Sequence, residues 1–205
     1  MSMLRARAAI FDLGKVLVDF DYGIMARALS ARSDMSGGEL RALLDQSSLL
    51  HRYESGAMTT REFFAEVQSR SGFRGTLDEF AGVFADIFTP IAPMVALLER
   101  LVSQGVPTFA FSNTNELAVR HLRARFPFMH QFNALVLSYE HGAMKPDPRL
   151  YEAVEGVTTL RGGGLFYLDD RPENIETAQT RGWQAVLHET PEKSIEAARR
   201  AGVLR

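Results

Sequence analysis

Along the chain, continuous runs of apolar residues alternate with stretches in which apolar residues recur at helical spacing. Continuous runs fit parallel strands that are covered on both faces, because such strands have no side that faces water. The runs predict five strands, over Ala8–Leu13, Pro107–Ser112, Ala134–Ser138, Leu165–Asp169 and Gln184–His188. The stretches between them predict helices over Pro93–Ser103, Glu116–Phe126, Pro148–Glu155 and Glu173–Thr180, and a last one that begins near Pro191. This alternation predicts a doubly wound, Rossmann-like α/β fold with a parallel sheet.

The stretch from about Phe20 to Pro90 breaks the alternation, because it lacks convincing strands and carries repeated helix-start signals. Three segments match the capping box, in which a Ser or Thr and a Glu three residues later bond each other's backbone N–H groups. The three are Ser36–Glu39, Thr59–Glu62 and Thr76–Glu79. We predict a small α-helical cap over residues 20–90, inserted into a core of residues 1–19 and 91–205, with its phenylalanines packed inside.

Composition and charge exclude several classes of protein. With 205 residues, 46% of them hydrophobic and 23% charged, the chain has the composition of an ordinary globular protein. A net charge of −2 creates no basic field for nucleic acid, and no segment approaches the roughly 20 apolar residues that span a bilayer. The basic segment Met1–Arg7 precedes too short an apolar stretch for a signal peptide. We expect neither nucleic acid nor a membrane as partner, while monomer and homodimer both stay open.

The chain contains no cysteine. Disulfides, zinc–thiolate sites and thiol nucleophiles are therefore excluded. This composition fits a reducing compartment, so we expect a cytoplasmic protein. The five histidines show no metal-ligand spacing, and we assign them surface or packing roles.

Polar side chains follow several of the predicted strands. Asp12 ends the first strand, which is where an open α/β sheet places its chemistry. Ser112, Lys145 and Asp170 lie at or soon after the ends of later apolar runs. An Asp after a strand, taken alone, is more often a turn cap. A carboxylate, a hydroxyl, a cation and an acidic pair on one sheet edge instead indicate a phosphoryl-transfer site.

Four short segments carry these residues, and the segments are Phe11–Leu17, Phe111–Asn115, Lys145–Pro148 and Tyr167–Ile175. In order and spacing they resemble the four signature motifs of the haloacid dehalogenase (HAD) superfamily. The predicted helical insert resembles the small α-helical cap of that superfamily. The resemblance covers essentially the whole chain, and it depends on all four motifs, because any one of them is weakly specific.

The resemblance implies a Mg²⁺-dependent phosphomonoester hydrolase for a small phosphorylated metabolite, with a sugar phosphate among the candidates. A carboxylate can attack phosphorus, and Mg²⁺ reduces its repulsion from the phosphate. Asp12 would be nucleophile and metal ligand together, and the Gly14 carbonyl and Asp170 would complete the metal site. Asp169 would reach the metal or orient the site.

The remaining motif residues would bind the phosphate. Ser112 and Asn113 can donate hydrogen bonds to the transferring oxygens. Lys145 adds a positive charge that matters more as those oxygens gain charge. Taken alone, a Lys before Pro-Asp-Pro is more often a solvated loop residue.

The chain departs from the superfamily pattern at Gly14, where most of its phosphatases carry an acid/base Asp worth about 10²–10⁴-fold in rate. Three interpretations stay open. Another side chain substitutes, with Asp19 and Asp21 as candidates; or the substrate has a better leaving group; or the enzyme is slow or inactive. The Asp-Leu-Gly-x-Val form resembles bacterial α-glucose-1-phosphate phosphatase and relatives of the epoxide hydrolase N-terminal phosphatase domain. The first of these shares the Gly and is active, which disfavours inactivity.

Two alternatives belong to the same superfamily. A 2-haloacid dehalogenase needs no metal and usually lacks the acidic pair Asp169-Asp170, so the pair favours the phosphatase. A non-catalytic binding or regulatory protein is supported only by Gly14. Within the cap, the segment Tyr53–Gly56 resembles a stretch of related caps at the substrate entrance, or it is a helix end turned by Gly56.

Overall fold

The computed structural model describes residues 5–205, within which five strands form one parallel sheet in the order β5-β4-β1-β6-β7. The doubly wound α/β prediction is thereby confirmed, and each strand of this sheet lies within the apolar run that predicts it. All strands of the described part are β1 (Ala8–Phe11), β2 (Val18–Phe20), β3 (Phe88–Pro90), β4 (Thr108–Ser112), β5 (Ala134–Leu137), β6 (Leu165–Asp169) and β7 (Gln184–Leu187). Met1–Leu4, part of the segment that argues against a signal peptide, lies outside the described residues.

The helices of the core agree with the spacing of apolar residues to within a few residues at each end. The α-helices are α1 (Tyr22–Ser30), α2 (Gly37–Leu44), α3 (Ser48–Glu54), α4 (Thr60–Ser71), α5 (Leu77–Ala85), α6 (Ala92–Ser103), α7 (Glu116–Arg125), α8 (Ser138–His141), α9 (Pro148–Thr158), α10 (Pro172–Thr180) and α11 (Pro191–Arg200). Across residues 5–205, none of them is long and apolar enough to cross a bilayer.

Strand β1 lies at the centre of the sheet and is fully buried. Its side chains alternate between two hydrophobic clusters: Ala9 and Phe11 join the one formed with α6 and α11, and Ala8 and Ile10 join the one formed with α9 and α10. This alternation is the period of two that a strand imposes. Because parallel strands run in the same direction, the residues that follow β1, β4 and β6 meet at one edge of the sheet.

Helices α1–α5, here called the helical insert, pack around a separate aromatic cluster. Phe63 lies at its centre, stacked on Tyr53 with ring centroids 4.3 Å apart and packed against Phe80 and Phe84. All three predicted capping boxes are present at the starts of α2, α4 and α5. Each box satisfies backbone N–H groups that the first turn of a helix leaves free.

The strands β2 and β3 form an antiparallel pair that the sequence pattern does not predict. Val18 lies opposite Pro90, and Phe20 lies opposite Phe88. With three residues each, these strands are too short for an alternating pattern to become visible. Strand β2 leads from the parallel sheet into α1, and β3 leads from α5 back to α6. Their pairing therefore holds together the two ends of the helical insert.

Candidate active site

Asp12 lies directly after β1 at the carboxyl edge of the sheet, and only 8% of its surface is exposed. Its backbone N–H donates to the carbonyl of Leu168 at 2.9 Å, which extends the pairing between β1 and β6 by one residue. The carboxylate accepts a hydrogen bond from the N–H of Leu13 at 2.7 Å and one from the Ser112 hydroxyl. The sheet therefore fixes the backbone of Asp12, and the two hydrogen bonds orient its carboxylate at the sheet edge.

Lys145 is buried beside this carboxylate, with 5% of its surface exposed. Its Nζ lies 3.2 Å from Asp12 Oδ1 and 2.6 Å from Asp169 Oδ2. It also donates to the Phe111 carbonyl at 2.8 Å, at the end of β4. One ammonium group thus joins residues at the carboxyl ends of β1, β4 and β6. The interpretation of Lys145 as a solvated loop residue is therefore wrong, because the side chain is buried.

Asn113 positions the loop that carries Lys145. Its Oδ1 accepts from the Lys145 backbone N–H at 2.7 Å, and its Nδ2 donates to the Lys145 carbonyl at 3.0 Å. The amide therefore uses its oxygen and one N–H on the protein backbone. One further N–H remains for a ligand at this edge, since an amide nitrogen carries two.

Asp169 is fully buried and satisfied by protein donors. Oδ2 accepts from Lys145 and from the Tyr167 hydroxyl, while Oδ1 accepts from the Arg171 N–H and the Asn174 amide, both at 2.9 Å. Burial alone would raise the pKa of Asp169, but Lys145 and these hydrogen bonds hold it below its usual value. Asp169 is therefore a fixed negative charge that orients Lys145.

Asp12, Asp169 and Asp170 can each place a carboxylate oxygen within 4.8 Å of the others. Burial raises the pKa of Asp12 to about 7, and the nearby acids add to this shift while Lys145 opposes it. The pKa of Asp170 is raised by burial and by the charge of Asp169. Among residues 5–205, Lys145 is the one ammonium group that contacts this cluster. The three acids therefore repel one another and favour a cation between them.

A cavity of about 320 Å³ opens above these residues, between the sheet edge and the helical insert. Its core side is lined by Asp12, Gly14, Ser112, Asn113, Lys145 and Asp170. Its insert side is lined by Tyr22, Asp45, Gln46, Leu50 and Glu54. Sequence reasoning singled out Glu54 only as part of the Tyr53–Gly56 segment, and it found no signal for Tyr22, Asp45 or Gln46.

Asp19 and Asp21, the acids expected near the insert, do not line this cavity. Asp19 is exposed and pairs with Lys15. Asp21 is the N-cap of α1 and accepts from the Gly23 N–H at 2.7 Å. Both have local structural roles, Asp19 in β2 and Asp21 as the residue that caps α1.

The space beside Gly14 is filled by an aromatic ring. A Cβ added to Gly14 would lie 3.0 Å from Cε1 of Phe20, closer than carbon atoms normally pack. The Phe20 ring is held edge-on against Tyr22 and Phe88. A side chain at position 14 therefore requires the ring to move.

The end of α3 is docked on the core. The Glu54 carbonyl accepts from the Ser138 hydroxyl at 2.6 Å, and the Tyr53 hydroxyl accepts from the Leu117 N–H at 3.2 Å. Gly56 follows with φ of 74°, and a Cβ there would overlap the backbone carbonyl of Tyr139. The glycine therefore permits both the left-handed turn and the close approach of two backbones.

We expect Gly56→Ala to lower the free energy of unfolding by more than the strain of a left-handed alanine alone would. Gly105 is a matched control, because its φ is also 74° but no atom lies within 4 Å of an added Cβ. Both alanines should lose about 1–2 kcal/mol from the strained backbone, and Gly56→Ala should lose more because of the overlap with Tyr139. Urea denaturation measures the difference, and equal losses would show that the contact contributes nothing.

The family profile described as haloacid dehalogenase-like hydrolase matches residues 6–180. Sesquiterpene phosphatase astK of Aspergillus oryzae is 26% identical over 179 residues, which is 86% of each chain. A HAD-like family hydrolase structure from Porphyromonas gingivalis is 22% identical with a TM-score of 0.79, covering 96% of this chain and 98% of that one. HAD family enzyme bt-2542 of Bacteroides thetaiotaomicron, in complex with magnesium and inorganic phosphate, is 21% identical with a TM-score of 0.78, covering 89% and 93%.

The two structural likenesses, at 22% and 21% identity, establish a shared fold. The family match is more specific, because it spans all four motifs, from the residues before β1 to the end of α10. It also spans the residues that converge on Lys145. The chain therefore belongs to the haloacid dehalogenase-like hydrolase family and is an enzyme of that family.

Proposed function

We propose that the enzyme hydrolyses phosphomonoesters of small metabolites, with Mg²⁺ as cofactor and Asp12 as nucleophile. The observation that carries the proposal is the acidic cluster around Lys145 at the floor of a cavity of about 320 Å³. Two relatives support it: one is named a sesquiterpene phosphatase, and the structure of another contains magnesium and inorganic phosphate.

The donor set fits Mg²⁺, which prefers carboxylate and carbonyl oxygens. Asp12, the carbonyl of Gly14 and Asp170 would hold the ion. Asp169 would act through Lys145, because both of its oxygens already accept two hydrogen bonds each. The bound ion would polarise the phosphoryl group and offset its repulsion from the nucleophile.

The protein's own groups account for the transfer. The Asp12 carboxylate attacks phosphorus and forms an aspartyl-phosphate, which water then hydrolyses to inorganic phosphate. The Ser112 hydroxyl and the remaining Asn113 N–H donate to the transferring oxygens. Lys145 balances the charge that these oxygens gain in the transition state.

The leaving group would occupy the insert side of the cavity. Tyr22, Asp45 and Gln46 can hydrogen-bond hydroxyl groups, which keeps a sugar phosphate among the candidate substrates. We also propose the division into a core of residues 1–19 and 91–205 and a cap of residues 20–90. The separate aromatic cluster of α1–α5 supports this division.

A phosphatase screen with and without Mg²⁺ tests the proposed function. Sugar phosphates, nucleotides and phospho-acids would be offered as substrates. The expected result is release of inorganic phosphate from at least one class, abolished by EDTA and restored by Mg²⁺. Hydrolysis that continues unchanged in EDTA would contradict the proposed role of the metal.

We expect Asp170→Asn to raise the Mg²⁺ concentration needed for half-maximal activity by about 10- to 100-fold or more. Losing a ligand, like losing a group that orients one, weakens metal binding by at least that range. Titration of activity with Mg²⁺ measures the change. Asp78→Asn, an exposed position in α5, is the matched control and should titrate like the wild type.

The dehalogenase alternative makes the opposite prediction about metal. It requires halide release from a 2-haloacid in the presence of EDTA. The raised pKa of Asp170 beside Asp12 and Asp169 disfavours it, because a site that works without a cation gains nothing from a third, mutually repelling carboxylate.

A further inference from the structure

The proposed reaction leaves one requirement unassigned among the residues already described. When the ester of an ordinary alcohol is cleaved, the alcohol departs as an alkoxide unless it receives a proton. Gly14 has no side chain to supply that proton. Four carboxyl groups line the cavity. Asp12 and Asp170 have proposed roles, and Asp45 pairs with Arg41 at 3.1 Å. Glu54 is the remaining one, and within residues 5–205 it forms no ion pair.

Glu54 is the last residue of α3, and its position is fixed from both sides. Its own carbonyl is bonded to Ser138, and the preceding residue is bonded to the N–H of Leu117 at the start of α7. Ser138 in turn accepts from the N–H of Thr114, in the loop that carries Ser112. The backbone of this residue of the helical insert is therefore tied to the phosphate-binding side of the cavity.

Glu54 lines the same cavity as the nucleophile, and its carboxyl group is near enough to Asp12 for the charge of Asp12 to act on it. Burial raises its pKa to about 7, and the charge of Asp12 adds to the shift. Asn115 opposes the shift with a hydrogen bond, which its amide can donate because its Oδ1 accepts from Ala118. Two other side chains of the helical insert line the cavity near Glu54, Tyr22 at the start of α1 and Asp45 after α2. Burial, together with the charges of Glu54 and Asp45, raises the pKa of the Tyr22 phenol.

We propose that Glu54 is the general acid and base of the reaction, in place of the side chain that Gly14 lacks. This inference depends on the proposed phosphatase function. In the first step, the bond from an Asp12 oxygen to phosphorus forms, the ester P–O bond breaks, and the Glu54 proton moves to the leaving oxygen to give the alcohol. In the second, Glu54 takes a proton from water as the water oxygen bonds to phosphorus. The Asp12 carboxylate and inorganic phosphate are released, and Glu54 is again protonated.

Single-turnover hydrolysis of two esters by Glu54→Gln tests the assignment. The leaving group of 4-nitrophenyl phosphate departs as a stable anion without a proton, whereas the leaving group of glycerol 3-phosphate needs a proton. With saturating Mg²⁺, we expect Glu54→Gln to slow phosphoryl transfer from glycerol 3-phosphate by about 10²–10⁴-fold, and from 4-nitrophenyl phosphate by less than about tenfold. Glutamine keeps the shape and can still accept from Asn115, so a folding defect is not expected, and the melting temperature checks this.

Two further variants separate proton transfer from charge. Asp45→Asn removes a negative charge from the same cavity but no group assigned to proton transfer, so it should not reproduce the large difference between the two esters. Glu54→Asp retains a carboxyl group and should recover part of the rate on glycerol 3-phosphate. Equal slowing of both esters by Glu54→Gln, or no slowing, would overturn the assignment while leaving the phosphatase function intact. A wild type that releases phosphate with Mg²⁺ neither from these two esters nor from any class in the phosphatase screen would overturn the proposed function itself.

Discussion

Replacing Asp12 by Asn is expected to lower phosphatase turnover by roughly 10⁴-fold or more, the range seen when a catalytic nucleophile or its essential partner is removed. An amide is too weak a nucleophile to attack phosphorus, and it brings no negative charge to balance a bound Mg²⁺. Asn keeps the shape of the side chain, so its packing beside Lys145 should survive. Initial rates with Mg²⁺ measure the loss, and trapping with beryllium fluoride measures whether position 12 still accepts a phosphoryl analogue.

Asp19→Asn is the matched control for this variant. The same atoms change seven residues along the chain, at an exposed carboxylate that pairs with Lys15 and does not line the cavity. It should retain wild-type turnover and beryllium fluoride binding. An Asp12→Asn enzyme that still turns over would refute Asp12 as nucleophile.

Replacing Lys145 by Met is expected to harm both stability and turnover. Met fills similar space but leaves the fully buried carboxylate of Asp169 without its cation. Removing one partner of a buried pair costs about 3–5 kcal/mol. Loss of an electrostatic group that stabilises the transition state lowers turnover by about 10²–10³-fold. Urea denaturation and initial rates, measured on the same preparation, give the two effects.

The double variant Lys145→Met/Asp169→Asn separates the two effects. Removing both charges also removes the uncompensated one, so most of the lost stability should return. Turnover should not return, because the charge beside Asp12 is still missing. If activity recovered together with stability, Lys145 would be a structural residue only.

The floor of the site could be predicted from sequence because it follows from topology. Asp12, Ser112 and Asp169 end or directly follow parallel strands, and such ends share an edge whatever the loops do. The motif order then supplies Lys145, although its burial between two carboxylates depends on a loop conformation held by Asn113. From the sequence, the Asn113 amide is assigned only to phosphate binding. A motif does not reveal that a side chain bonds the backbone of a residue 32 positions away.

The insert side of the cavity could not be predicted in the same way. Glu54 reaches the site through the docking of α3 on Ser138, and such long-range contacts between helices leave no periodicity in the sequence. Nearness in sequence pointed instead to Asp19 and Asp21. Asp19 lies in β2 and Asp21 caps α1, and at both places the carboxylate has local partners.

The packing of Phe20 against Gly14 has a consequence for how this enzyme can evolve. An aspartate at position 14 meets the ring at once, and the ring is itself wedged between Tyr22 and Phe88. The effect of an acid at position 14 is therefore coupled to the residue at position 20, because the ring must give by a few tenths of an ångström before even a Cβ fits. An aspartate introduced alone starts from a crowded site, and a smaller residue at position 20 would relieve that crowding. In evolutionary terms, the two positions are expected to change together more readily than separately.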